Sequence, residues 1–238
     1  MTDHDYAPNL DHVLEDIEAG GNYTEWIVDR ARPYLHGRVL DAGAGTGTFT
    51  EAVARVADEV VALEPEPRFV ELLRQRFAAE PRVRVVHGDA QEFGADLDMF
   101  DAIVCFNVLE HVRDDQRALR SLHDRLRAGG VLLLLVPAHP SLVAPFDRAV
   151  GHERRYRRGA LARSLRDAGF AIDELRFVNP IGALGWFTRM RLLRQRDWPS
   201  TTFHVFDRLV PLLRPLDALR LPFGLSLWAV ARRTSGLT

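Results

Sequence analysis

The chain has 238 residues, which suits one medium-sized domain with a modest elaboration and allows a full core without disulfides or metals. Hydrophobic residues make up 47% of the chain and charged residues 27%, the composition of an ordinary globular protein. The net charge of -2 argues against a protein that mainly binds nucleic acid. Cys105 is the only cysteine, so neither an internal disulfide nor a multi-cysteine metal site can form.

The sequence predicts no segment that enters a membrane. The acidic N-terminus, Met-Thr-Asp-His-Asp, lacks the apolar core of a secretory signal. The longest uncharged run, residues 128–146, contains three prolines and is typical of a buried strand that leads into a loop. We therefore expect a cytoplasmic protein without stable membrane insertion.

Lysine is absent from the chain, and every basic side chain except histidine is an arginine. Arginine cannot release its proton in a protein. Any general base must therefore be a histidine, a carboxylate, a tyrosine or Cys105.

Short apolar runs alternate with helical patterns, and the runs are continuous, as expected of strands covered on both faces. The predicted strands are Arg38–Asp41, Val60–Glu64, Val83–His87, Asp101–Phe106, Val131–Val136, Ile172–Asn179 and Leu225–Arg232. The predicted helices are Tyr23–Leu35, Thr48–Val56, Pro67–Ala79, Asp114–Arg127 and Gly159–Ala168. This alternation predicts an α/β fold with a parallel sheet, in which ligands bind beyond the carboxyl ends of the strands.

We expect a single domain over residues 1–238, with an N-terminal helical cap over residues 1–36. The stretch 180–224 breaks the alternation and predicts a helical insertion rich in Leu, Phe, Trp and Arg. Its apolar residues suit a lid over a ligand, a homodimer face or a surface that touches a membrane. The lid is favoured because the insertion leads back into the last strand.

A glycine-rich turn follows the first predicted strand, where Asp41-Ala42 precedes Gly43, Gly45 and Gly47. Alternate glycines let the backbone turn sharply and approach a ligand closely. Their spacing differs from the G-x-G-x-x-G of dinucleotide folds, so a nicotinamide-dependent reductase is disfavoured. A carboxylate here suits the ammonium group of an amino-acid moiety. A tight turn without a ligand is the alternative.

Acidic residues also follow the next two strands. Glu64 stands roughly 20 positions past the glycine loop, where a carboxylate can hydrogen-bond both ribose hydroxyls. A solvated loop carboxylate is the alternative. Asp89, after the third strand, could accept a hydrogen bond from an adenine amino group.

Together these residues resemble the class I S-adenosylmethionine-dependent methyltransferases, from about Tyr23 to Phe170 and again over Leu225–Arg232. The resemblance implies a Rossmann-like, seven-stranded, mostly parallel sheet whose last strand is antiparallel, with helices on both faces. It also implies that S-adenosylmethionine is the cofactor. The predicted cofactor-binding residues are Tyr23, Asp41, Ala42, Gly43, Gly45, Gly47, Glu64, Pro65, Asp89, Ala90, Asn107, Val108 and His111.

A narrower resemblance covers residues 137–140, 146–147 and 151–156, which look like a bacterial subgroup with a GHxRRY signature. Members of that subgroup often occur with polysaccharide or secondary-metabolite enzymes. The resemblance implies a small-molecule acceptor, with O-methylation of a secondary metabolite or a sugar-type hydroxyl as the leading hypothesis. A lipid- or quinone-type apolar acceptor, or a non-catalytic cofactor-binding module that regulates a partner, are the alternatives.

Candidate catalytic residues follow from the needs of a hydroxyl acceptor, for which a histidine is the best general base. His152 and His139 lie in loops at the carboxyl end of the sheet, although either could simply order its loop. Asp147, Arg155 and Tyr156 are the predicted substrate-binding residues.

Other chemistry is not expected from the sequence. The arginines of residues 154–158 could bind an anionic acceptor, but an exposed face is favoured for them, with at least one bracing the loop. The sequence Asn107-Val108-Leu109-Glu110 lacks the Asn/Asp-Pro-Pro-Tyr tetrad of enzymes that methylate base nitrogens, so we expect no nucleic-acid partner. No tight cluster of His, Asp and Glu is evident, and no metal site is predicted.

Overall fold

The computed structural model describes residues 10–91, 97–192 and 200–234. Its strands are β1 (Arg38–Ala42), β2 (Glu59–Glu64), β3 (Val83–His87), β4 (Phe100–Phe106), β5 (Leu126–Pro137), β6 (Phe170–Val178) and β7 (Ser226–Arg233). Its α-helices are α1 (Leu10–Ala19), α2 (Gly21–Ala31), α3 (Thr48–Ala54), α4 (Pro67–Arg76), α5 (Asp115–Arg125), α6 (Pro145–Ala149), α7 (Arg158–Asp167), α8 (Pro180–Trp186) and α9 (Ser200–Leu213). Short 3-10 helices cover Arg32–Tyr34, Leu109–His111, Pro140–Leu142 and Arg214–Leu219, and a π-helix covers Phe187–Leu192.

The strands form one sheet in the order β3-β2-β1-β4-β5-β7-β6. β7 is antiparallel to both of its neighbours, whereas the other pairings are parallel. The predicted Rossmann-like sheet with an antiparallel last strand is therefore confirmed.

The strand sequences are apolar because both faces of the sheet are covered by helices. Val39 and Leu40 are each fully buried, yet they belong to two different hydrophobic clusters. Leu132 and Leu133 divide in the same way. This alternation follows from the two-residue period of a strand, which sends neighbouring side chains to opposite faces.

The fifth strand begins earlier than predicted, at Leu126 instead of Val131. Leu126 pairs with Phe100, and the register then shifts before Val131 pairs with Ala102. Gly129 has a φ of +80° within this irregular stretch. A bulge with a left-handed glycine lets the strand continue through a sequence that resembles a turn.

The N-terminal helices α1 and α2 and the insertion meet above the sheet. Residues 1–9 of the predicted cap and residues 193–199 of the insertion lie outside the described residues. Over the rest, the insertion is helical as predicted, from α8 to the 3-10 helix that ends at Leu219. None of the helices in the described ranges is long and apolar enough to cross a membrane.

Two buried aspartates join the insertion to α2. The Asp207 carboxylate in α9 accepts hydrogen bonds from the Tyr23 backbone N–H (2.7 Å) and the Asn22 side-chain amide (3.0 Å), so it satisfies a free donor in the first turn of α2. Asp217 forms an ion pair with Arg30 of α2 and accepts a hydrogen bond from the Asn179 N–H at 3.0 Å. The insertion is thereby held against the N-terminal helices.

Candidate functional site

A cavity of about 660 Å³ opens at the carboxyl ends of the central strands. This volume lies within the range of about 300–1,000 Å³ that is typical of small-molecule sites. The loop after β1, the loop after β4 and the end of β5 form its floor, at Gly43, Asn107 and Pro137. The helices α1, α2, α8 and α9 form its walls.

The glycine loop after β1 lies on one side of the cavity. Gly43 and Gly45 have positive φ values of +80° and +55°, which favour glycine. A Cβ atom added at Gly43 would lie 2.6 Å from the Val108 side chain, so two loops approach each other closely here. Gly47, with φ +91°, is crowded by Leu73 instead, so its missing side chain serves the packing of α4.

Asp41 and Glu64 lie beneath the glycine loop and support it from within. The Asp41 carboxylate is buried and accepts a 2.6 Å hydrogen bond from the Thr50 hydroxyl. Burial raises the pKa of Asp41 to about 6, although the Thr50 bond opposes the shift. Glu64 is also buried, and its carboxylate accepts hydrogen bonds from the N–H groups of Gly45 (2.8 Å) and Glu66 (3.0 Å). Burial raises the pKa of Glu64 as well.

Tyr23 and Asn107, far apart in sequence, meet in the cavity. Their side chains form a hydrogen bond, which opposes the rise of the Tyr23 pKa to about 12 on burial. Asn107 has φ +55°, a conformation that asparagine tolerates better than most residues. This geometry aims the loop after β4 toward the cavity.

A polar cluster occupies the cavity floor between α6 and the loop after β4. The Asp147 carboxylate is buried and lies 3.0 Å from Nδ1 of His152 and 2.7 Å from Nε of Arg155. His152 Nε2 is 4.0 Å from the Glu110 carboxylate, whose side chain is 1% exposed. Burial raises the pKa of Glu110 to about 7, and the charge of His152 opposes this rise.

His111 completes this cluster. Its ring centroid is 4.8 Å from that of His152, in an edge-to-face arrangement. Burial and, to a smaller degree, the charge of His152 lower the pKa of His111 to about 4, against the opposing effect of a hydrogen bond to the Gly151 backbone. One ligand-type atom from each of Glu110, His111 and His152 lies within 4.8 Å of the others. The expectation that the chain has no tight His/Asp/Glu cluster is therefore wrong, because the residues come together only in the folded chain.

Arg155 braces the loop from within, as expected of one residue in the arginine-rich segment. Its guanidinium group is buried, contacts Asp147 and lies 4.4 Å from the centroid of the Trp186 ring. Arg154 instead pairs with Asp115 at 3.0 Å on a more exposed part of the surface. The two neighbouring arginines thus have different environments.

The helical walls of the cavity are largely apolar. Trp186 packs edge-to-face on Phe146, and its indole N–H donates to the Leu142 carbonyl at 2.9 Å. Phe203 packs on Tyr23 with centroids 6.0 Å apart. The apolar cavity-lining residues of the helices include Leu14, Ile17, Ile181, Trp186, Phe203, Phe206, Leu209 and Leu213.

The structure separates the predicted site residues into two groups. The cavity is lined by Tyr23, Gly43, Gly45, Asn107, His111, His152 and Arg155. The other predicted residues lie behind this lining or beside it: Asp41, Ala42, Gly47, Glu64, Pro65, Asp89, Ala90, Val108, His139, Asp147 and Tyr156. Asp89 accepts a hydrogen bond from the Gln91 N–H at 2.7 Å, and the next residues, 92–96, lie outside the described part of the chain.

Two predicted residues have structural partners away from the cavity. The His139 ring stacks on Phe177, with centroids 4.8 Å apart and an interplanar angle of 4°. The Tyr156 hydroxyl is buried between the Leu109 carbonyl (3.2 Å) and the Asp115 carboxylate (3.0 Å). Neither contact places a polar group in the cavity.

Sequence reasoning missed Glu110 and Trp186 as site residues, and it placed Phe203 and Phe206 only in a segment favoured as a lid. Glu110 stands next to His111 in a short loop, and no periodic pattern in the sequence marks it as a site residue. The aromatic residues lie in the insertion, for which the sequence favours a lid over a dimer face or a membrane contact without assigning single residues to a site. Only their place on the cavity wall distinguishes them.

Residues 39–130 match the family model described as a methyltransferase domain. The chain is 34% identical over 141 residues to 2-methyl-6-phytyl-1,4-hydroquinone methyltransferase 1 of Oryza sativa, a match that covers 58% of this chain and 41% of that protein. It is 35% identical over 117 residues to a demethylmenaquinone methyltransferase of Clavibacter sepedonicus, with 48% of each chain covered. The chain thus spans about half the length, or less, of these curated relatives.

Solved structures share the fold over most of the chain. An S-adenosylmethionine-dependent methyltransferase of Mesorhizobium loti has a TM-score of 0.62 at 20% identity, and the match covers 88% of this chain and 98% of that one. The N-methyltransferase NodS of Bradyrhizobium japonicum, solved with S-adenosyl-L-homocysteine, has a TM-score of 0.55 at 16% identity, with 84% and 79% covered. The family model thus matches residues 39–130, less than half of the chain, and the sheet has the fold of these solved methyltransferases.

Proposed function

We propose that the protein transfers a methyl group from S-adenosylmethionine to a hydroxyl group of an apolar small molecule. The observation that carries this proposal is that one cavity is lined by the glycine loop, by a cluster of Glu110, His111 and His152, and by apolar helical walls. An apolar, quinone-type acceptor fits these walls better than a sugar. The two relatives reported above are named as methyltransferases of a hydroquinone and of demethylmenaquinone.

The glycine loop is the proposed site of the methionine part of the cofactor. Its left-handed glycines carry no side chains that would fill this side of the cavity, and the buried Asp41 contributes negative charge next to the loop. Glu64 and Asp89 remain the proposed partners of the ribose and of the adenine. One Glu64 oxygen already holds the Gly45 N–H, so ribose binding and loop position are coupled.

His152 is the proposed catalytic residue, because its Nδ1 atom is held by Asp147 while its ring lines the cavity. In the transfer, the acceptor oxygen forms a bond to the methyl carbon as the carbon–sulfur bond breaks, and sulfur keeps the electron pair. The hydroxyl proton moves to Nε2 of His152. Asp147 stabilises the imidazolium that forms. His139, stacked on Phe177, has no comparable position.

The first experiment is a calorimetric titration of the protein with S-adenosylmethionine, S-adenosyl-L-homocysteine and NAD. We expect micromolar binding of both sulfur nucleotides and none of NAD. A folded sample that binds neither sulfur nucleotide contradicts the proposal.

The Gly43→Ala variant tests the site assignment, since its Cβ would lie 2.6 Å from Val108 at a φ of +80°. Gly129→Ala is the matched control, because Gly129 has the same φ but open space around it and lies outside the cavity lining. We expect the affinity for S-adenosylmethionine to fall at least about 10-fold in Gly43→Ala and to be unchanged in Gly129→Ala. Equal losses in both variants would attribute the effect to backbone strain alone.

The acceptor class is tested by transfer to a phenol with an apolar substituent and to a free sugar. We expect methylation of the phenol, and a sharp loss of it in Trp186→Ala through a higher KM. Methylation of the sugar alone contradicts the apolar assignment. Cofactor binding without transfer to any acceptor would favour the non-catalytic module.

A further inference from the structure

The histidine–carboxylate cluster consists of Glu110, His111 and His152, and its members are the types of side chain that bind metals. Each offers one ligand atom, and these atoms lie within 4.8 Å of one another. We propose that this cluster binds one divalent transition-metal ion, of the Zn²⁺, Fe²⁺ or Mn²⁺ class. Two imidazoles and one carboxylate form a set that such ions accept while keeping further coordination positions open.

The state of Glu110 supports an ion at this point. Its side chain is almost fully buried, and its Oε2 atom has no hydrogen-bond partner among the described residues. A buried carboxylate oxygen without a hydrogen-bond partner is costly, because it has lost its bonds to water. The histidine atom opposite it, Nε2 of His152, is 4.0 Å from Oε1, too far for a hydrogen bond. An ion between Nε2 of His152 and the Glu110 carboxylate would give the imidazole and the carboxylate a common partner.

Both imidazoles are oriented as metal ligands usually are. The Asp147 carboxylate accepts a hydrogen bond from Nδ1 of His152 at 3.0 Å. The other ring nitrogen, Nε2, is therefore free to face Glu110. The His111 ring is held by the backbone of Gly151. A hydrogen bond from the second ring nitrogen to a carboxylate or a carbonyl selects the tautomer and the direction in which a ligating histidine points.

The charge of Arg155 opposes the rise of the Glu110 pKa, but Arg155 donates its hydrogen bonds to Asp147 and to the Ala138 carbonyl. Arg155 directs its Nε atom to Asp147 at 2.7 Å, and its guanidinium group lies over Trp186. The negative charge of Asp147 is therefore already paired. Glu110 remains the carboxylate that an ion would neutralise.

All three proposed ligands line the cavity, so an ion there has open positions toward a bound molecule. The use of the ion rests on the proposed function: an acceptor hydroxyl that occupies an open position would become more acidic. Its proton could then leave to water, and His152 would act as a ligand rather than as the free base. Transfer by a free histidine is insensitive to chelators, whereas transfer at a metal is abolished by them.

The test is a titration of tag-free, metal-free protein with Co²⁺, followed by calorimetry and by visible absorption. We expect one equivalent to bind and to produce ligand-field bands. Glu110→Gln and His152→Ala should each weaken binding at least about 10-fold and remove the bands. His36→Ala, which removes an exposed histidine remote from the cavity, should bind as the wild type does.

Retained S-adenosyl-L-homocysteine binding, measured on the same samples, shows that the variants are folded. Co²⁺ binding that is unchanged in both Glu110→Gln and His152→Ala overturns the inference, as does the absence of saturable binding in the wild type. Nucleotide binding and methyl transfer without metal binding would leave the proposed function intact and remove the metal site. Metal binding without nucleotide binding would support the metal site and contradict the proposed function.

Discussion

Asp41 is a buried carboxylate whose cost depends on pH. Burial raises its pKa from 3.8 to about 6 in the folded chain. Well below pH 3.8 the group is protonated in both states, so it imposes no penalty. As the pH rises from 3.8 to about 6, the Asp41 carboxyl group ionises more readily in the unfolded chain than in the folded chain. The free energy of unfolding therefore falls over this range. The glycine loop is therefore built over an unfavourable charge.

We predict that Asp41→Asn stabilises the ligand-free protein above pH 6, by on the order of 1–3 kcal/mol, while it weakens S-adenosylmethionine binding. The asparagine keeps an acceptor for the Thr50 hydroxyl and lacks the charge. Urea unfolding at pH 4 and at pH 7 measures the effect. A stability difference that is the same at both pH values would show that ionisation is not its cause.

Tyr156 is predicted from sequence to bind substrate, and its buried hydroxyl instead contacts Leu109 and Asp115. We predict that Tyr156→Phe lowers the free energy of unfolding by about 1–2 kcal/mol, with the KM for the acceptor unchanged. Steady-state kinetics beside chemical unfolding tests this. A KM that rises several-fold at unchanged stability would restore the substrate-binding role.

At the scale of elements, the contact between α9 and α2 controls one wall of the cavity. Asp207 binds the N–H of Tyr23 and the amide of Asn22, and Tyr23 itself packs on Phe203. One carboxylate thus fixes the insertion, the start of α2 and an aromatic pair that faces the cavity.

We predict that Asp207→Ala speeds hydrogen exchange at the Tyr23 amide and lowers the affinity for an apolar acceptor, because the two helices separate more easily. Asp173→Ala is the control, since it removes an exposed carboxylate that pairs with Arg232. Amide exchange rates and acceptor binding are measured on both variants. Unchanged exchange in Asp207→Ala would mean that the apolar packing of α9 alone holds the wall.

At the scale of the whole molecule, the cavity is built from the N-terminal helices, the sheet and the insertion together. A ligand that binds only the folded chain stabilises it by about 2.7 kcal/mol at 100 times its Kd. For a chain of this length we predict that S-adenosyl-L-homocysteine at that excess raises Tm by about 5–10 °C. The measurement is a calorimetric scan with and without ligand, and Gly43→Ala should show a clearly smaller rise at the same ligand concentration.

Unfolding in that scan also tests the proposal of a single domain. One transition that shifts as a unit is expected, because α2 and α9 are joined through Asp207, and α2 and the segment after α9 through Arg30 and Asp217. A second transition whose Tm does not change with ligand would show that the insertion unfolds as an independent unit.

The sequence by itself determined the succession of strands and helices along the chain, the position of the glycine loop and the edge of the sheet where the candidate site lies. These features depend on local patterns: continuous apolar strands, alternate glycines after Asp41, and polar residues at strand ends. Because parallel strands present their carboxyl ends at one edge, local order was enough to locate the site.

Only the tertiary structure decided which polar residues share the cavity. Glu110 and His152 are distant in sequence, and their approach depends on how α6 and its flanking loops lie against the loop after β4. His139 and His152 are equally good bases as residue types, yet one stacks on Phe177 while the other lines the cavity. The direction of a side chain in a loop is set by packing and burial, and these arise between elements rather than within them.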